Sequence, residues 1–187
     1  MTRRRAVLFG AAAVLAVALA AGLAWFQPWR LFTNHRVDDV LPAVATRSVP
    51  AAAHPTAAAA APRTPVPPQA VLLARGMFIS HEHDTIGAVS VVRQPDGSRV
   101  LAIAGLRTSD GPDLHVWLTD RAVRPGESNW YVFDDGKHIS LGTLKGNLGN
   151  QLYPIPAGAA LDELISVSIW CARFDVSFGA AALVPVG

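Results

Sequence analysis

The sequence predicts an all-β fold, an antiparallel β-sandwich of about eight to ten strands, behind one N-terminal transmembrane helix and a Pro/Ala-rich linker. Three observations predict it. Apolar residues run without interruption from Ala6 to Phe26. Between Leu41 and Gln69 lies a stretch that holds half of the chain's 14 prolines and no aromatic residue. From Val71 onward, apolar residues alternate or come in short runs broken by turn signals, with no long helical period.

The first element is "TRRRAVLFGAAAVLAVALAAGLAWFQPWR". A hydrocarbon core of about 30 Å needs about 20 apolar residues in a helix, so residues 6–26 match a full span and make the lipid bilayer a partner. Arg3, Arg4 and Arg5 belong on the cytoplasmic side, and Trp25 and Trp29 at the opposite interface. The chain is thus expected to be a single-pass protein of the cell membrane, N-terminus cytoplasmic and C-terminal domain extracytoplasmic. Ala18-Leu19-Ala20 also fits a signal-peptide cleavage site, although the apolar stretch exceeds the usual 7 to 15 residues or so. Residues 1–30 form this anchor.

Residues 31–70 form a juxtamembrane segment and linker. "RLFTNHRVDDVLP" is read as a short juxtamembrane helix in which Asp38 and Asp39 have no nameable partner. "LPAVATRSVPAAAHPTAAAAAPRTPVPPQ" has too much proline for helix or sheet and reads as an extended or disordered spacer, with His54 solvated.

Residues 71–187 hold the β domain. Nine segments read as strands: "GMFISHEH", "TIGAVSVV", "RVLAIAGL", "DLHVWLTD", "NWYVF", "HISLG", "NQLYPI", "ISVSIWC" and "RFDVSFGAAAL". "PDGS", "SDGPD", "RPGES" and "DDGK" supply the turns between them. "VVRQPDGSRVLAI" is the clearest hairpin, and "AALDELI" allows one helical turn. In "DLHVWLT", Leu114, Val116 and Leu118 share the core face, with His115 and Trp117 on the other. Val167, Ile169 and Cys171 are in phase, whereas Phe174, Val176 and Phe178 fall in the opposite phase, so a bulge or tight bend is expected at Ala172-Arg173.

Charge is uneven: net +5 up to residue 71 and −3 beyond it, giving the chain's +2. The basic character belongs to the anchor and linker, and a mildly acidic domain is a poor nucleic-acid binder. The G-x-S-x-G elbow, the Walker loop and H-E-x-x-H are all missing, and Lys145 in "LKGNLG" follows no phosphate-binding glycine run.

Cys171 is the only cysteine, which rules out an intramolecular disulfide. Three readings stay open. It is a small buried hydrophobe; or a redox thiol or ligand, which needs nearby cations or a metal and some access; or half of an intermolecular disulfide. Met77, His81 and His83 share strand parity, and "HEH" sets two imidazoles about 7 Å apart on one face of an ideal strand. With Cys171 they offer every ligand type used by haem or blue copper. Against copper, no His lies beyond His138, and against covalent haem, C-x-x-C-H is absent. The cofactor is therefore haem, copper or none. Trp170 reads as an aromatic wall beside the thiol or as core packing. His115 and His138 read as surface or satisfied histidines.

"LGTLKGNLGNQLYPIP" followed by "SVSIWCARFDVSFGAAAL", with "RTSDGPDLHVWLT" and "GMFISHEHDTIGAVSV" before them, resembles the DM-thirteen domain over about residues 72–185. That family is credited with electron transfer and is often found beside DOMON domains. His83 and Gly87 match its early His and Gly, and Gly111, Pro112, Asp113 and Leu114 its Gly-Pro-Asp-Leu turn. Gly142, Leu144, Lys145, Gly146, Gly149 and Tyr153 match its central motif, and Trp170, Cys171, Phe174, Phe178 and Gly179 its last. Gly105-Leu106 departs from an expected Asn-Phe. The resemblance implies a redox role centred on Cys171, as naked thiol or ligand to a prosthetic group, with His83 as helper and an unidentified redox or envelope partner. The competing class is a noncatalytic binding or envelope-interaction module in which Cys171 is structural.

Overall fold

A computed structural model describes residues 3–44 and 69–186. The body of the Pro/Ala-rich stretch, His54 included, lies outside the described residues. Helix α1 spans Arg3–Phe26, and its segment Val7–Phe26 has a mean hydropathy of 2.5 and no buried residue against the rest of the chain. It is long and apolar enough to cross a membrane.

The rest is β. Ten strands follow: β1 Arg36–Asp38, β2 Val71–Ser80, β3 Ile86–Arg93, β4 Arg99–Arg107, β5 Leu114–Thr119, β6 His138–Thr143, β7 Leu148–Ile155, β8 Ser166–Cys171, β9 Val176–Ala182 and β10 Val184–Pro185. They form one curled sheet in the order β1-β7-β4-β3-β2-β9-β8-β5-β6, with β10 on β2. The curl turns on β2, whose first part pairs with β3 and whose last three residues pair with β9. The two halves of the sheet therefore face each other, and β6 comes against β7. Val89, Val91, Leu101, Ile103 and Tyr153 from one half meet Val116, Leu118, Val167 and Ile169 from the other in a single core. This is a sandwich in layering, but one mixed sheet in connectivity, because β1 runs parallel to β7.

Several elements follow the local pattern. The β3–β4 hairpin closes through Gln94–Ser98, where Gly97 takes φ +85° and Asp96 accepts from both the backbone N–H and the hydroxyl of Ser98. Leu114, Val116 and Leu118 are buried in the core as expected. The phase slip after Cys171 is a reversal of direction. β8 and β9 form a hairpin around Ala172–Asp175, with Asp175 at φ +50°. A true bulge lies further along this pair, between Ile169 and Trp170.

Two expectations are corrected. "NWYVF" is no strand: after a short 3-10 turn at Glu127–Asn129 it runs as a loop whose Phe133 packs on Trp170 and Ala180 of β8 and β9, while Trp130 packs against the main core. The outer face of those strands carries Trp170, Ser168, Ser177 and Ala180, all buried, so covering it outweighs extending the sheet. The juxtamembrane segment is no α-helix either. A 3-10 helix at Pro28–Phe32 leads directly into β1.

The flanks of the Pro/Ala-rich stretch are placed, although the stretch itself lies outside the described residues. Val44 bridges Ala70, so both ends of the Pro/Ala-rich stretch meet on the domain. The connection between α1 and β1 is Gln27–His35.

The motif "LKGNLGNQLY" holds β1 in place. Lys145 Nζ lies 2.7 Å from Asp39 Oδ2, which also accepts the Leu152 N–H. These contacts, Lys145 first, hold the Asp39 carboxyl below its usual range. Asn147 accepts from the His35 N–H at 2.7 Å and donates to Asn34. Gly149 sits at φ +99°, where an added Cβ would strike the Val37 carbonyl. Gly149→Ala should therefore cost about 1 to 3 kcal/mol and release β1. Guanidinium unfolding, with tryptic cleavage at Arg36 as a second readout, checks this; unchanged stability and protection would contradict it.

Candidate functional site

Cys171 closes β8 opposite Leu114 on one side and Val176 on the other. Its side chain points into the main core with no exposure. Burial pushes the thiol pKa up, and the charges of Glu82 and Asp113 add to the shift. The backbone N–H groups of Arg173 and Phe174 offset part of it. A thiolate is the form that attacks disulfides and binds metals, so this thiol is neither accessible nor activated.

Trp170, next in sequence, points to the opposite face. It is buried under the loop, with its ring 5.0 Å from that of Trp117 and edge-on to Phe133 at 6.5 Å. The sheet itself separates it from the thiol. Trp117 in turn stacks on His138 at 4.1 Å.

The two imidazoles of "HEH" part company because β2 ends at Ser80. Ser80 Oγ accepts from the Thr85 N–H, and the residues between bend away from the strand. His81 goes under the loop, its ring 5.6 Å from Phe133 and 6.5 Å from Trp130. It is 5 % exposed, and neither ring nitrogen has a hydrogen-bond partner. Burial lowers its pKa, and the Arg124 backbone opposes this in part. His83 goes the other way and lies against Phe178, ring centroids 3.9 Å apart. Burial lowers its pKa too, against the pull of Glu82 and Asp84. Met77 lies on β2 with its side chain out in solvent, 67 % accessible.

Haem or copper liganded by Cys171, His83, His81 and Met77 does not fit this arrangement. The thiol is in the core, the two imidazoles lie on different surfaces and the thioether is in solvent. Among the described residues, no three His, Cys, Asp or Glu side chains converge as a metal site.

His83 lines a cavity of about 310 Å³ at the end of the domain next to α1, together with Phe174, Phe178, Glu82, Asp110 and Gly111. Phe26, Pro28, Arg30 and Leu31 close it from the other side. The last turn of α1 is seated here. Phe26 stacks on Phe174 at 6.0 Å, and the Arg173 guanidinium covers the Trp25 ring at 5.0 Å and donates to the Trp25 carbonyl. Arg30 donates to the Gly111 carbonyl at 3.1 Å and lies 3.5 Å from Asp110.

Residues 77–183 match the family model described as Electron transfer DM13. The chain belongs to the electron-transfer DM13 family. No curated protein and no solved structure shows a significant match to it. The DM13 match begins after β1, so the central motif of the DM13 domain is used here to hold a segment that lies outside the matched residues. Sequence reasoning missed Asp39 and Asn147 as the residues that fix the β1 segment to the domain, and Arg30 as one that fixes the end of α1. The unassigned "DD" pair was the one available signal.

The lowered histidine pKa values set a pH dependence. An unfolded histidine protonates near pH 6.5, before its folded counterpart. The contribution of His81 and His83 is therefore complete above about pH 6.5 and is lost as pH falls through the folded values. His81→Phe should leave stability at about pH 7.5 unchanged or higher, since it removes two unpaired buried nitrogens, and should flatten the acid loss. Guanidinium unfolding at about pH 5 and about pH 7.5 checks this. An equal acid loss in both proteins would contradict it.

Proposed function

We propose that this chain is a single-pass membrane protein whose DM13 domain works as an electron-transfer module on the extracytoplasmic face of the bilayer. The observation that supports it is the seat of α1 on the domain. The contacts of Trp25, Phe26 and Arg30 hold the end bearing His83, Phe174 and Phe178 against the end of α1, which in this reading lies at the membrane interface. Three arginines before the span and tryptophans after it favour the N-in orientation.

In this reading Cys171 does not exchange disulfides, because its burial and raised pKa both work against a thiolate. It packs behind the wall of the cavity, where its carbonyl accepts the Phe174 N–H at 3.3 Å. A centre on Cys171 is the alternative form of the same function. A noncatalytic envelope-interaction module with a structural cysteine is the second reading, and the complete burial of the thiol favours it.

Voltammetry of the full chain in a film of its own membrane lipids separates these. The electron-transfer reading predicts a reversible wave that protein-free lipid lacks and that survives in Cys171→Ala. Loss of the wave in Cys171→Ala with an unchanged melting temperature would move the centre to the thiol. No wave in either protein would leave the interaction module.

A further inference from the structure

We infer that the cavity between the end of α1 and the domain binds the head group of an isoprenoid quinone. This rests on the membrane-anchored electron-transfer reading above and names the ligand of that site.

Four observations carry it. The first is position. Phe26 is both the last residue of the apolar span and a wall of the cavity, so the cavity opens where the bilayer ends and is served by molecules dissolved in it. The second is size and shape. About 310 Å³ is at the small end of ligand pockets, about 300–1,000 Å³. Phe26, Phe174 and Phe178 give it aromatic walls suited to a flat ring.

The third is polarity. His83, held neutral by its lowered pKa, offers a ring N–H that can donate to a quinone carbonyl, and a second nitrogen that can accept from a quinol hydroxyl. Glu82 and Asp110 also line the cavity, and Arg30 is already committed to Asp110 and the Gly111 carbonyl. Among the described residues the lining holds two carboxylates, and its one cation, Arg30, is paired with Asp110, which disfavours a lipid phosphate. The polar groups equally disfavour a bare acyl chain. A neutral ring with carbonyl oxygens satisfies both conditions.

The fourth is a place for the tail. An open groove of about 340 Å³ runs along one face of α1 between Leu15, Ala18, Leu19, Gly22 and Leu23. It shares Phe26 and Pro28 with the cavity. The small side chains of Ala18 and Gly22 leave a groove that leads an apolar chain from the membrane to the head-group cavity.

The test is calorimetric titration of decylubiquinone into the full chain held in phosphatidylcholine nanodiscs. The proposal predicts saturable binding at one site per chain. His83→Leu should weaken it about tenfold through the lost hydrogen bond. Leu31→Trp should abolish it by filling the cavity from its exposed side. Leu31 is 55 % exposed, so this variant keeps the proposal testable even where His83→Leu fails to fold. Val184→Thr, on the exposed edge strand β10, should bind as the parent does.

Heats equal to those of empty nanodiscs would overturn the proposal, as would undiminished affinity in Leu31→Trp. So would a phospholipid, detected by native mass spectrometry, that decylubiquinone does not displace. Heat of binding requires no electron transfer. Saturable binding without a voltammetric wave would therefore refute the redox reading and leave the site standing, and a wave without binding would do the reverse.

Discussion

The short connection Gln27–His35 is the constraint on which the arrangement depends. Nine residues between α1 and β1 span at most about 30 Å even when fully extended, and the 3-10 helix at Pro28–Phe32 shortens that reach. Because β1 is paired along β7, one end of this connection is fixed to the sheet. The domain therefore stays close to the end of α1, whatever the length of the Pro/Ala-rich stretch. The ion pair and stacking contacts of Arg30, Trp25 and Phe26 add direction to this closeness. Each is partly exposed and individually modest, of the order of 1 kcal/mol or less. Together with the paired strand they act on a connection too short to wander, so little further entropy has to be overcome.

The curl of the sheet divides the chemistry of the domain into two environments. On the inside, Cys171 is one more apolar residue among Leu114, Val176 and Ile169. On the outside, Trp170, Trp117, Phe133 and His81 form a second, smaller apolar layer beneath the loop that carries Trp130. Residues adjacent in sequence, such as Trp170 and Cys171, are thus separated by the thickness of a sheet. The end of the domain where β2 gives way to the His81–His83 bend is where the core, the cavity and α1 come together. His83 belongs to that junction, whereas His81 belongs to the outer layer.

Much of the fold was legible because it is written in alternation. Leu114, Val116 and Leu118 declare their face locally, and the "PDGS" hairpin closes through its own side chains. Where the decisive contact is distant, the pattern said nothing or misled. "NWYVF" has strand composition, but Phe133 gains more by covering β8 and β9 and Trp130 by packing against the main core. "HEH" keeps strand parity only if β2 continues, and Ser80 turns the chain through a bond to Thr85. The role of "LKGNLGNQLY" depends on Asp39 and His35, about a hundred residues away, so its spacing identified a family without revealing what it holds. The cavity was illegible for the same reason. Its two walls, Phe26–Leu31 and His83 with Phe174 and Phe178, come from parts of the chain that meet only in the folded protein.

The central claim is that the DM13 domain rests directly on the bilayer with the His83 and Phe174 end facing it. Neutron reflectometry of the full chain in a supported bilayer tests this most directly. The account predicts protein density that begins at the lipid head groups with no intervening water layer. A layer of water tens of ångströms thick between head groups and domain would contradict it, since it would mean that the Pro/Ala-rich stretch acts as a spacer after all.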